Sequence, residues 1–115
     1  MITKNKIGKT DLEISQLGMG TAPLGGWPVA VAPEEAQLTI AKAWESGIRY
    51  FDTAPLYGSG MAEERIGKFL KEKKREDFAI ATKVGRLVVH TEKANEKFKG
   101  QDPHKIQFLI LVMMQ

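Results

Sequence analysis

An acid, a phenol and an amine stand at intervals that parallel strands can bring together. Asp52 lies near the end of the apolar segment Ile48 to Thr53, Tyr57 follows in the next loop, and Lys83 ends a second such segment, Phe78 to Val84 (FAIATKV). Neighbouring strands lie about 4.8 Å apart. An aspartate and a lysine at the ends of adjacent parallel strands can therefore form a hydrogen-bonded ion pair, which offsets the cost of taking the lysine out of water. A free phenol titrates near pH ~10, and a phenol beside an ammonium exchanges protons more readily near neutrality. The division of labour would be that Tyr57 moves a proton, Lys83 tunes it and Asp52 orients Lys83. If the strands are neighbours, the three would form a proton-transfer corner of the kind a carbonyl-reducing enzyme needs. Each residue also has a plainer reading: a strand-end Asp that caps a loop, a tyrosine after proline that packs, a strand-end lysine that is solvated. Spacing by itself does not choose between them.

The elements that would position these groups alternate strand and helix. Residues 1–17 read as a short β-hairpin, with Ile2 and Ile7, then Leu12 and Ile14, flanking the turn residues Gly8 and Asp11. Leu17 to Thr21 (LGMGT) reads as a short strand whose glycines allow close approach to the backbone. Ala22 to Ala32 is a loop holding Pro23, Gly25, Gly26, Trp27 and Pro28. Pro33 suits the first position of a helix, Glu34 and Glu35 complement its dipole, and Ala36, Ile40, Ala43 and Trp44 give it one apolar face. Ser46-Gly47 is its stop. Ser59 is read as the cap of a second helix, Gly60 to Lys73, with the apolar face Ala62, Ile66, Phe69 and Leu70. Gly67 inside that helix costs about 1 kcal/mol against alanine, and close packing on the sheet is the expected compensation. Leu87 to Val89 would extend the third strand, Glu92 to Gly100 is polar, and Phe108 to Met114 (FLILVMM) is a strand-sized apolar run. A hairpin followed by β-α-β-α-β implies parallel strands with right-handed crossovers. An open doubly wound sheet and the first part of a (β/α)8 barrel both satisfy this pattern, and both bind ligands at the carboxyl ends of the strands.

Composition narrows the function classes. At 115 residues, 43% hydrophobic and 27% charged, the chain suits one soluble domain with a modest core. The net charge of +3 is spread along the chain, and its one basic run, Lys71 to Arg75, reads as the solvated end of a helix. No nucleic-acid partner is expected. The absence of cysteine excludes disulfides, thiolate zinc sites and cysteine nucleophiles, and no metal site is expected. No apolar run approaches the ~18 residues of a membrane span, and no leader-like segment opens the chain. The expectation is a cytoplasmic protein with no membrane partner. Tyr57-Gly58-Ser59-Gly60 at a helix start lacks the Lys-Ser/Thr signature of a phosphate-binding loop.

Three blocks together resemble the aldo-keto reductases: LGMGTAPLGG (Leu17 to Gly26), AKAWESGIRYFDTAPLYGSGMAEERIGKFL (Ala41 to Leu70) and ATKVGRL (Ala81 to Leu87). Within that family the details resemble the bacterial-type sugar and pyridoxal dehydrogenases, D-threo-aldose or L-fucose 1-dehydrogenase-like. The resemblance implies an α/β fold: an N-terminal hairpin closing the bottom of a (β/α)8 TIM barrel, here its first three strands and two helices. It implies NADP or NAD bound without a Rossmann domain. Consistently, Gly18-Met19-Gly20 runs on into Thr21-Ala22-Pro23, so a G-x-G-x-x-G fingerprint is absent. It makes Asp52, Tyr57 and Lys83 three of four catalytic residues, and it sets Gly20, Thr21 and Asp52 near the nicotinamide end of the cofactor. Trp27 and Tyr57 would face the substrate, a sugar or another small carbonyl or alcohol, although a loop tryptophan more often packs. The reaction implied is hydride transfer between nicotinamide and the substrate carbon, with Tyr57 giving or taking the proton.

The chain also departs from that family. The expected fourth catalytic residue is a histidine ending the fourth barrel strand. His90 follows the third strand too closely and His104 precedes an apolar run, so both read as surface residues. A barrel of this kind needs about 250 residues. The expectation is therefore an N-terminal barrel part over residues 1–108 and an atypical tail over residues 109–115. As a fragment it would be inactive and would self-associate through exposed strand edges. The alternative is a non-catalytic half-barrel module that docks onto a partner chain.

Overall fold

The computed structural model describes residues 2–90, residue 92 and, as backbone, residues 105–109. The hairpin forms from β1 (Lys4–Lys6) and β2 (Glu13–Ser15), antiparallel with Asn5 opposite Ile14. The next three strands, β3 (Met19–Gly20), β4 (Tyr50–Asp52) and β5 (Ala79–Ala81), make a parallel sheet in that order. Helices α1 (Pro33–Glu45) and α2 (Met61–Leu70) are the crossovers. The expected alternation is thus present, as three strands of an open parallel sheet among the described residues.

Register sorts the sheet into two faces. Met19, Phe51 and Ile80 are in line, as are Gly20, Asp52 and Ala81. The first row faces the helices. Phe51 is fully buried and joins Leu24, Ala36, Ile40, Ala62, Ile66 and Leu70 in one core, with Met19 packed against it. Removing a phenylalanine side chain of this kind from water contributes about 1.5–3 kcal/mol. Ile80, in the same row, stays 38% exposed because no described helix follows β5. The anticipated apolar faces of both helices are the ones used. Trp44 ties the layers together: it stacks on Phe51 at 6.4 Å and meets Phe69 and Phe78 edge-on. Arg49 lies 3.8 Å over its indole and donates to the Trp44 and Ile48 carbonyls, which secures the turn from α1 into β4.

Several expectations change. Both strands are shorter than their apolar segments, so Lys83 lies two residues beyond β5 and not at its last position. The N-cap of α2 is Gly60, one residue after Ser59, and the helix ends at Leu70 before the lysine run. Gly67 is exposed, and a Cβ there would meet nothing within 4 Å. Close packing does not explain it. Leu87 to Val89 do not extend β5. They belong to a separate strand, β6 (Arg86–His90), which pairs antiparallel with β7 (Lys105–Leu109) in a two-stranded ribbon. The break is Gly85, at φ +109, a backbone conformation that residues with a Cβ rarely adopt. Residues 110–115, most of the atypical tail, and His104 lie outside the described residues.

Candidate active site

Asp52 ends β4 on the face away from the helices, opposite Gly20 on one side and Ala81 on the other. After Ala81 the chain leaves the sheet, and Lys83 turns back across the rim. Its Nζ donates to Asp52 Oδ1 at 2.8 Å and to the Thr53 carbonyl at 3.1 Å. The same ammonium sits 5.1 Å from the centre of the Tyr57 ring. The structure therefore brings together the three residues that spacing singled out. The small side chains of Ala79 and Ala81 leave that face open beside Tyr50 and Asp52.

The electrostatics follow from these contacts. The Asp52 carboxylate holds the Lys83 ammonium above its ordinary value of 10.5, partial desolvation works against this, and the Tyr57 phenol adds to it. The amine is charged at neutral pH. Both partners of the ion pair keep some solvent contact, with Lys83 50% and Asp52 39% exposed as side chains. Such a pair contributes little to stability, and its consequence is to place one positive charge beside a phenol.

The surrounding residues brace the rim. Thr21 is fully buried, and both its amide and its hydroxyl donate to the Asp52 carbonyl at 2.9 Å. Its side chain thus backs Asp52 and is not presented to the open face. Gly20 is exposed, with nothing within 4 Å of an added Cβ. Thr82 donates to Glu63 Oε1 at 2.5 Å, which ties the segment carrying Lys83 to the first turn of α2. Trp27 is 70% exposed and does not pack into the core. A cavity of about 300 Å³ opens next to Tyr57 and Lys83, lined also by Ala54, Pro55, Leu56, Val84 and Arg86. Trp27 is not among its walls. A second cleft of about 340 Å³ lies at the other ends of the strands, between the hairpin and Arg49, Arg75 and Phe78. It is remote from the triad. His90 is exposed on β6, and among the described residues no group of acids and histidines could hold a metal ion.

Sequence reasoning missed three contributors: Arg65, Gly25 and Gly58. Arg65 on α2 donates to the Leu24 carbonyl at 2.6 Å and to the Val31 carbonyl at 2.9 Å. An isolated arginine on a helix carries no signal of such a role. The glycine pair does leave a trace, since the loops at residues 25–26 and 58–60 each hold two glycines.

The open face fits the nicotinamide end of a dinucleotide. Gly20, opposite Asp52, leaves a surface without side chains on which a flat ring can lie.

Residues 16–106 match the Aldo/keto reductase family. The chain is 47% identical over 87 residues to pyridoxal 4-dehydrogenase of Microbacterium luteolum, covering 76% of this chain and 25% of that enzyme. It is 47% identical over 77 residues to D-threo-aldose 1-dehydrogenase of a Pseudomonas species, covering 67% and 23%. Among solved structures, the aldo-keto reductase AKR11C1 from Bacillus halodurans in its holo form superposes with a TM-score of 0.66 at 38% identity, over 75% of this chain and 27% of that one. Glycerol dehydrogenase AKR11B4 from Gluconobacter oxydans gives 0.62 at 31% identity, over 93% and 30%. The chain spans about a quarter of the length of these curated relatives.

Proposed function

The chain belongs to the aldo/keto reductase family, and on that premise we propose that it supplies the proton-transfer rim of an NAD(P)-dependent oxidoreductase acting on a sugar or another small aldehyde or alcohol. The observation that carries this reading is the Lys83 ammonium held between Asp52 and Tyr57 at the carboxyl ends of two adjacent parallel strands. Nicotinamide, bound beside Gly20 with Asp52 and the backbone at Thr21, would supply or accept the hydride. Tyr57 gives a proton to the carbonyl oxygen in reduction and takes it from the hydroxyl in oxidation. Lys83 stabilises the phenolate left behind, and Asp52 keeps Lys83 in place. The names of the relatives favour a sugar or pyridoxal-like substrate in the dehydrogenase direction.

The described parallel sheet has three strands, whereas a (β/α)8 barrel closes with eight. The 115-residue chain by itself is proposed to be inactive, and purified protein should give no change in nicotinamide absorbance with sugars or aldehydes. The positive test is a chimera in which residues 16–87 replace the matching segment of the Microbacterium pyridoxal 4-dehydrogenase. It should oxidise pyridoxal, and Tyr57→Phe in the chimera should lower kcat by about 10²–10⁴-fold. A Tyr57→Phe chimera as fast as its parent removes the phenol from the mechanism.

A further inference from the structure

Tyr57 enters the rim on a turn closed by short-range backbone hydrogen bonds. Its amide donates to the Ala54 carbonyl at 3.1 Å and its carbonyl accepts from Ala62, so its backbone is part of the lead-in to α2. What fixes that turn sideways is a second loop. Gly25, at the end of the short 3₁₀ turn Ala22–Gly25, lies against the backbone of Tyr57 and Gly58. A Cβ on Gly25 would come within 2.5 Å of the Tyr57 carbonyl carbon and 2.6 Å of the Gly58 nitrogen. A Cβ on Gly58 would strike the Gly25 carbonyl oxygen and come within 2.8 Å of its Cα. Both glycines are buried, and Gly58 has φ +66. Contacts this short fall on backbone, which cannot rotate aside. The loop is in turn clamped to α2 by Arg65, whose guanidinium spans Leu24 and Val31 and whose own carbonyl accepts from Gln37 on α1.

We propose that Gly25 and Arg65 are positioning residues for the reaction: the Ala22–Gly26 turn is a template, locked by Arg65, whose backbone contact with Gly58 sets where the Tyr57 phenol meets Lys83. This rests on the reading of Tyr57 and Lys83 given above. Any side chain at position 25 pushes the Tyr57 turn outward from the rim. Loss of the guanidinium frees the backbone of the template to move about the Leu24 side chain, which stays anchored in the core with Phe51 and Ile66. A smaller displacement follows from Arg65→Lys, which keeps the charge and can reach one of the two carbonyls.

The test reads the Lys83 ammonium by NMR in chain carrying isotope-labelled lysine, with Gly67→Ala as a control substitution at an open glycine. Tyr57→Phe should lower the titration midpoint of Lys83, because the phenol oxygen is one of the groups that raise it. Gly25→Ala and Arg65→Met should lower it in the same direction, adding nothing when combined with Tyr57→Phe, and Arg65→Lys should restore part of the difference. Folded Gly25→Ala and Arg65→Met chains in which Lys83 titrates as in the unsubstituted protein, while Tyr57→Phe shifts it, overturn the template. An unshifted Lys83 in Tyr57→Phe itself overturns the triad reading instead. Should Gly25→Ala fail to fold, cross-relaxation between the Gly25 α-protons and the Gly58 amide in the unsubstituted chain decides. Its presence supports the contact and its absence overturns it.

Discussion

The sheet beneath the Asp52 rim and the strand β6 both carry apolar residues, and they are covered very differently. Every fully buried apolar side chain that is described precedes Gly85: Phe51, Ile40, Ile66 and their neighbours lie between two helices and a sheet. Beyond Gly85 the strand Arg86–His90 is apolar in part, yet none of its residues is buried, and Leu87 is 51% exposed. A strand gains its apolar energy from what covers it, and a two-stranded ribbon is marginal by itself in water. Rigidity at the rim is therefore borrowed from the helix layer beneath β4, while the ribbon has no such layer among the described residues.

The largest expected effect separates the two regions directly. Phe51→Ala should cost about 3–5 kcal/mol, enough to abolish cooperative unfolding, whereas Leu87→Ala should leave the urea midpoint almost unchanged. Comparable losses from both would erase the distinction. Hydrogen exchange tests it without substitution: the amides at residues 50–52 should be protected far longer than those at residues 86–90.

The next effect concerns the ion pair. The raised folded value of Lys83 means that its ammonium favours the folded state, fully so below 10.5 and decreasingly as pH rises past its folded midpoint. Asp52→Asn removes the main cause, so the Lys83 midpoint should fall back toward 10.5 in a lysine-detected titration. Stability near neutrality should change little, since both side chains are partly exposed. An unmoved midpoint would show that the carboxylate is not what holds the amine. Smallest is Gly67→Ala. With nothing within 4 Å of the new methyl group, thermal unfolding should shift upward by the equivalent of about 1 kcal/mol or less.

Much of the scaffold was legible along the chain. Pro33 with Glu34 and Glu35, the recurrence of Ala36 and Ile40, and that of Ala62 and Ile66 specify two amphipathic helices, because a helix repeats its environment every 3.6 residues and the side chains record it. A strand leaves no such repeat to mark its ends, and the segment Phe78 to Val84 reads longer than the strand Ala79–Ala81 that forms. Thr82 to Val84 could continue a strand, but pairing with β4 ends at Ala81, and pairing depends on the partner strand. Ser59 has the chemistry of a cap, yet the loop geometry gives the position to Gly60. The resemblance sets Thr21 near the nicotinamide end of the cofactor, and only the parallel pairing of β3 with β4 turns its hydroxyl onto the Asp52 carbonyl.

What the sequence determined by itself is the local order: hairpin, strand, helix, strand, helix, strand, and the presence of an acid, a phenol and an amine near the strand ends. Capping, helical periodicity and turn residues act over a few neighbours, so they can be read in line. What only the tertiary structure decided is that Lys83 reaches back to Asp52 at 2.8 Å and that Gly25 shapes the turn of Tyr57 from a distant part of the chain. Those contacts join residues about thirty positions apart, and their existence depends on the register of parallel strands and the packing of α1 against α2, which no short stretch of sequence encodes.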